Sequence, residues 1–518
     1  MTLAHARMTR SRFGCYLLTL LVAAAPVRAQ QASLTSADST LIWRILLAED
    51  QRDGSNAALA EGTRHPDPRI QLLARRAAAR IGDPKFASRD SFPPLPAPPA
   101  YSDPAWRLRY RVLKAGDCVA LRGALNDSVW AVRLHAIDLV SASCATDSLW
   151  IKALIMWVRT APPNAARLPG TASWQPAAHA LVALARTRPE VARRMLPTTA
   201  RSRIPTLRAY AARAATVLAD TSALRGLARD ADANVKEVAI DGLAKVAGHS
   251  ADDVYLTALN DRGYQAVRAA ARALAGSSRK AEVLNAALAT ARRIRDDSSE
   301  TSRDTRLALL ERVNEHADAV HATAIAALAS DFDCLVAQAA ATIAARLGPT
   351  SGMAPKCTRL PVRLSPDAVA LALGRDVRLR VVIADSSGGG SFVVRLRGDV
   401  APIMAARILE LARTHYYDGL TWQRVEPDFV IQGGSPHANE YVGNARYIRD
   451  ELGTVSHVRG TVGMSTRGHD TGDAQWFVNL RDNLRLNADY TIFGEVVQGI
   501  EVVDGVLEGD VIARVEVF

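Results

Sequence analysis

Residues 416–434 read Tyr-Tyr-Asp-Gly-Leu-Thr-Trp-Gln-Arg-Val-Glu-Pro-Asp-Phe-Val-Ile-Gln-Gly-Gly. The stretch puts Arg424, Phe429 and Gln432 on a short strand–turn–strand unit with a Gly-Gly turn behind it. A second segment starts at Gly460 with Gly-Thr-Val-Gly-Met-Ser and reaches Ala-Gln-Trp-Phe-Val at 474–478. A third, 489–504, reads Asp-Tyr-Thr-Ile-Phe-Gly-Glu-Val-Val-Gln-Gly-Ile-Glu-Val-Val-Asp. Ahead of them, Val377–Ala384 and Ser391–Leu396 are β-branched runs joined by a Gly-rich turn, which predicts a pair of strands. Residues 401–414 form an amphipathic helix with Pro402 in its first turn. One helix wrapped by many short strands implies a mainly β closed barrel over 375–518.

Upstream the period changes. An Asp- or Asn-containing turn, an apolar residue (often followed by Arg or Lys) and a small residue four positions later recur at Ile70, Trp106, Val132, Leu207, Val235, Val267 and Leu335, with fainter copies at Ala180 and Ala308. A recurrence at this spacing marks an array of helix pairs, none of which can bury its apolar face alone. The pattern resembles HEAT-type repeats, implying an all-α solenoid over 36–348. The proline run at 93–99 interrupts the array, and residues 349–374, with Pro349, Pro355, Pro361 and Pro366, read as a linker. A chain of 518 residues exceeds one hydrophobic core, in keeping with two pieces.

The first 29 residues have the form of an export signal: Arg7, Arg10 and Arg12 precede an apolar run, and Val27-Arg28-Ala29 offers a cleavage site. The expected location is therefore periplasmic or secreted. Removing that segment's four arginines lowers the formal charge from +11 to +7. The remaining basic residues are scattered along helices, so no nucleic-acid partner is expected, nor is a membrane span in the mature chain. Four cysteines would remain, an even number that suits disulfides in an exported protein. Cys118 and Cys144 fall at adjoining ends of a predicted helical hairpin. Cys334 and Cys357 can pair if the loop after Gly348 folds back. No cysteine or histidine has metal-ligand spacing, and His316, His321, His457 and His469 read as solvated or capping side chains.

The three segments at 416–504 resemble, in order and spacing, the cyclophilin-type peptidyl-prolyl isomerases, over about the last 140 residues. The resemblance implies a catalytic arginine at Arg424, with Phe429 and Gln432 beside it. It further implies a substrate pocket of Val430, Ser465, Thr466, Gln475, Phe477, Leu486 and Tyr490, with no cofactor and no metal. Trp422-Gln423, Val430 and Trp476 depart from the usual Phe-His, Met and Phe. Arg485 stands where cyclosporin-sensitive members carry a tryptophan.

Rotation about an X–Pro bond faces a barrier near 20 kcal/mol. A catalyst needs only to hold the twisted imide better than either planar isomer. A guanidinium aimed at the imide nitrogen beside an apolar grip on the ring meets that need. The expected function is isomerisation of X–Pro bonds in exported polypeptide clients, with the repeat surface holding clients or a protein partner. The alternative is a scaffold or adaptor that binds proline segments without catalysis.

Overall fold

The computed structural model describes residues 34–82, 97–295, 303–348, 355, 357, 365–444, 447–453 and 455–518. The expected signal at 1–29 and most of the expected linker lie outside the described residues. No helix among the described residues is long and apolar enough to cross a membrane.

The helical part is two-layered. Helices Gln175–Thr187, Pro205–Val217, Ala233–Val246, Tyr264–Ala273, Asp304–His316 and Cys334–Leu347 follow one another side by side, with shorter or flanking helices such as Thr221–Leu227 and Asp252–Ala258 behind them. The turn aspartates of the sequence pattern cap this front layer. Asp232 accepts from Asn234 and Val235 backbone N–H groups, and Asp333 does the same for Leu335 and Val336. In the middle of the array the basic residue after the anchor ties one helix pair to the next: Arg208 reaches Asp230 at 2.7 Å, and Lys236 pairs with Asp261. The recurring letters are thus a ladder of caps and inter-repeat ion pairs. In the last repeat the register is one residue off, because Leu335 is exposed and Val336 is buried in its place.

The C-terminal part is one antiparallel sheet of eight strands: β1 Arg378–Ile383, β2 Ser391–Leu396, β3 Arg424–Glu426, β4 Val430–Gly433, β5 Thr461–Met464, β6 Trp476–Asn479, β7 Ile492–Gln498 and β8 Ile512–Val517. Their order is β3-β4-β6-β5-β7-β2-β1-β8. The sheet curls until the segment before β3 meets the segment before β8 at the antiparallel bridge Thr421–Val511. Helix Pro402–Arg413 buries Met404, Ala405, Ile408 and Leu409 inside the curl. Glu451 caps its N-terminus, accepting from Ile403 and Met404 N–H at 3.2 and 2.7 Å.

Two boundaries differ from the sequence expectation. Residues Pro366–Ala372, expected as linker, form a helix that packs on Pro402–Arg413. Helices Ser36–Gln51, Ala57–Thr63 and Pro68–Gly82, expected as the start of the solenoid, share a hydrophobic core with Val381, Phe392, Ile408 and Phe493 of the barrel. Later helices have a core of their own. The apolar stripe of Ile70, Leu73, Ala74 and Ala77 packs on helices Ser36–Gln51 and Ala57–Thr63, and the core these three helices form is continuous with that of the barrel.

The front layer of the array also faces the barrel. Arg167 pairs with Asp510, Gln175 donates to the Glu508 carbonyl at 2.9 Å, and Tyr210 donates to the Glu508 carboxylate at 3.1 Å. Farther along, Asn234 donates to the His437 carbonyl, Arg268 to the Tyr441 hydroxyl and Arg303 to the His469 carbonyl. Cys118–Cys144 and Cys334–Cys357 are joined as disulfides.

Candidate active site

Alternation along the strands sorts the site from the core. On β6, Phe477 faces outward into a small apolar cluster with Val430 and Leu486, while Trp476 turns into the barrel core against Trp422 and Phe493. The two tryptophans that depart from the family pattern are therefore core residues: both are essentially fully buried behind the site. Phe429 and Tyr490 complete the pocket rim, and Tyr490 meets the Phe477 ring edge-on at 5.8 Å between centroids. Gly463 makes room for that ring, since a Cβ there would lie 2.5 Å from the tip of Phe477.

Arg424 opens β3 directly opposite Gln432 of β4. Its Nη1 lies 3.4 Å from the Gln432 Oε1, and its guanidinium carbon stands 5.8 Å from the Phe429 ring centre. Gln432 donates to the Ser465 hydroxyl at 2.8 Å and to Gln475 Oε1 at 3.2 Å. Gln475 is fixed in turn by donating to the Val442 carbonyl, and Gln423 donates to the same Gln475 oxygen at 3.0 Å. Thr466 follows half-buried on the same edge. The ten residues named from the sequence thus form one surface: an apolar well (Phe429, Val430, Phe477, Leu486, Tyr490), a glutamine-centred polar shelf (Gln432, Ser465, Thr466, Gln475) and a guanidinium between them. Both glutamines are buried and hydrogen-bonded, so the shelf is rigid.

Two features escaped the sequence reading, and a third, Arg485, takes the rim position that reading gave it. His457, expected at the surface, is 1% exposed and stacks on Phe477 at 5.8 Å. Its Nε2 donates to the Tyr490 carbonyl at 3.1 Å, and its Nδ1 accepts from Asn479, which fixes the neutral tautomer. Burial holds its pKa down at about 4. Nothing in the residues around 457 signals this, because the contacts come from β6 and from the turn before β7. Glu426 and Glu440 both grip Arg424: Nε lies 2.8 Å from Glu426 and Nη1 lies 3.2 Å from Glu440. The period-two spacing of Glu426 from Arg424 on one strand could have flagged the first contact; nothing in the sequence flags Glu440. Glu440 also binds Arg467 at 2.7 Å, and Arg467 reaches Asp304 of the helical array. Arg485 lies over the Phe429 ring with its guanidinium carbon 4.5 Å from the centroid, closing the rim with a cation where a flat apolar ring was the alternative.

Among the described residues no group of three or more His, Cys, Asp or Glu side chains is placed to hold a metal. The side chains of the site supply an apolar grip, amide and hydroxyl hydrogen-bond partners and one guanidinium.

Known proteins resemble the chain over this same C-terminal segment. The sequence profile of the family described as cyclophilin type peptidyl-prolyl cis-trans isomerase/CLD matches residues 380–516. The chain is 36% identical over 131 residues to peptidyl-prolyl cis-trans isomerase B of Bacillus subtilis, covering 25% of this chain and 92% of that protein. It is 32% identical over 130 residues to a peptidyl-prolyl cis-trans isomerase of Helicobacter pylori, covering 24% of this chain and 80% of the relative. A crystal structure of a cyclophilin type peptidyl-prolyl cis-trans isomerase of Cryptosporidium parvum aligns at 22% identity with a TM-score of 0.26, covering 28% of this chain and 98% of that one.

Proposed function

Since this chain belongs, through residues 380–516, to the cyclophilin-type peptidyl-prolyl cis-trans isomerases, we propose that it isomerises X–Pro bonds in exported polypeptides. We assign catalysis to Arg424 and the grip on the proline ring to the well of Phe429, Val430, Phe477, Leu486 and Tyr490. The observation that carries the assignment is the placement of Arg424 opposite Gln432 and beside Phe429, on one face of β3 and β4.

In the resting site the guanidinium is held by Glu426 and Glu440. A proline peptide seated in the well brings its imide nitrogen toward Arg424. As the bond twists, that nitrogen gains a lone pair, and an N–H released from one of the carboxylates donates to it. The planar isomers offer no such acceptor, so the contact strengthens only on the way to the transition state. The shelf of Gln432, Ser465 and Gln475 holds the peptide backbone while the bond rotates.

Export is supported by the N-terminal arginines and apolar run and by the two disulfides. A role for the helices in client binding is supported by a chamber of about 350 Å³ bounded by Tyr110, His135 and Tyr210 on the helical side and by Phe429 on the barrel side. A client threaded through the well would extend into that chamber.

The test is a proline-limited peptide assay on the full chain and on Arg424→Ala. The variant is expected to lose about a hundredfold or more in kcat/KM, in the range for one removed charged donor, with an unchanged melting temperature. A variant with near-normal kcat/KM and unchanged circular dichroism would move catalysis away from Arg424. An inactive parent that still binds proline peptides would favour the adaptor reading.

A further inference from the structure

The barrel's proline well has a second builder outside the barrel. Helix Ala105–Val112, more than 300 residues earlier in the chain, lies against the turn that carries Phe429. Its Arg107 is 0% exposed. Arg107 Nε donates to the Pro427 carbonyl at 3.0 Å, two residues before Phe429. Its Nη1 donates to the Leu480 carbonyl, and the Leu480 N–H donates to the Phe429 carbonyl at 3.0 Å. Its Nη2 binds Asp504 at 2.7 Å, and Asp103 accepts from Nη1 at 3.0 Å. One turn on, Arg111 binds Asp428 at 2.6 Å from outside, and Arg481 binds the same carboxylate at 3.0 Å. The turn 427–429 is thus held between the helix and segment 480–483, where Asn483 also donates to the Phe429 carbonyl.

We propose that Arg107, seconded by Arg111, is a positioning residue for the isomerase site: it sets the place of Phe429 and so the width of the proline well, making the helical region part of the enzyme. This rests on the isomerase reading above. The turn between β3 and β4 closes with one backbone bond of its own, Phe429 N–H to the Glu426 carbonyl at 2.8 Å, and the Pro427 carbonyl must find its donor elsewhere. Arg107 supplies a planar fork that bonds Pro427 and Leu480 together, the two backbone sites flanking Phe429, which a lysine's point charge could not span. Arg459 also binds Leu480 and Asp504, at 2.9 and 2.6 Å, so these groups keep a donor when Arg107 is replaced. The Pro427 carbonyl loses the Arg107 bond that fixes the turn.

The test uses the full chain, with Arg107→Met to keep the side chain's bulk. A displaced ring wall weakens substrate and transition state alike, so KM is expected to rise about tenfold with kcat little changed. In a Phe429→Ala background the same Arg107→Met change is expected to alter KM less than about twofold, because the residue it positions is gone. A folded Arg107→Met chain with unchanged KM would overturn the proposal. So would an equal loss in both backgrounds, which is the signature of general destabilisation. Should Arg107→Met fail to fold, Arg111→Ala decides: its partly exposed side chain leaves the core intact, and a KM raised roughly threefold supports the proposal, while an unchanged KM rejects it. An inactive parent chain would overturn the isomerase reading and this one with it; an active parent with indifferent variants overturns this one alone.

Discussion

Helices 36–82 carry the anchor pattern once, with Asp67 ahead of Ile70, and helices 205–347 carry it repeatedly, yet the two sets join different cores. Ile70 and Leu73 are buried with Val381 and Phe392 of the barrel, whereas Leu207, Val235 and Val267 are buried by neighbouring repeats or the elements behind them. The arginines differ in the same way. Arg208 pairs with Asp230 at the margin of the array. Arg80, 2% exposed, pairs with buried Glu49 and donates to the carbonyls of Val400, Glu451 and Leu452 across the boundary. A helical period says that a face is apolar; it does not say which element will lie on it.

The largest expected effect sets these two arginines against each other. Arg80→Met should destabilise the full chain by about 3–5 kcal/mol, because it removes the closest partner of the buried Glu49. Arg208→Met, at a bidentate but incompletely buried pair, should cost less, about 1.5 kcal/mol. Urea unfolding of both variants checks this, and equal losses would erase the distinction between the two helical regions.

Acid should act on both parts, and on the barrel through His457, which is buried neutral; burial also holds the pKa of His135 of the helical part below its ordinary value. The folded pKa of His457 is about 4, below the ordinary 6.5 of an unfolded chain, so the unfolded state takes up the proton first. Its contribution is therefore full above pH 6.5 and is lost as the pH falls from there to about 4, on the order of 3 kcal/mol in total. Burial pushes Glu237 and Glu451 up to about 7, which gives the opposite slope over part of that range. The comparison to make is thus between the parent and His457→Gln, in which only the histidine slope disappears. Parallel stability–pH curves for the two chains would contradict the assignment.

The smallest effect is at the rim. Cyclosporin, whose binding in sensitive relatives uses a rim tryptophan, should bind the parent weakly, because it would have to desolvate the Arg485 guanidinium stacked on Phe429. Arg485→Trp should gain about tenfold in affinity, within what one aromatic contact and its hydrogen bond can supply. Tight inhibition of the parent, measured by titration of the isomerase assay, would show that another residue fills the role.

Much of the site was legible because its residues sit on adjacent strands at fixed spacing. Arg424, Phe429 and Gln432 are neighbours through one turn, and period-two alternation sends Phe477 to the well and Trp476 to the core. His457 and Glu440 were not legible, since each is drawn in by groups on other strands or, through Arg467, by the array. The repeats were legible as helices with caps. Their docking on the barrel was not, because Arg107, Arg167 and Tyr210 look in sequence like any other residue of a helix or its connecting loop, and only the partner carbonyls and carboxylates hundreds of residues away give them a role.

By their shared core, helices 36–82 belong to the barrel rather than to the array. Native-state hydrogen exchange in rising urea, resolved by peptide, tests it directly. The structure predicts that amides of residues 36–82 lose protection in the same step as strands β1 and β2, apart from the step that releases residues 205–347. Loss of protection at 36–82 together with 205–347, while β1 and β2 stay closed, would contradict it.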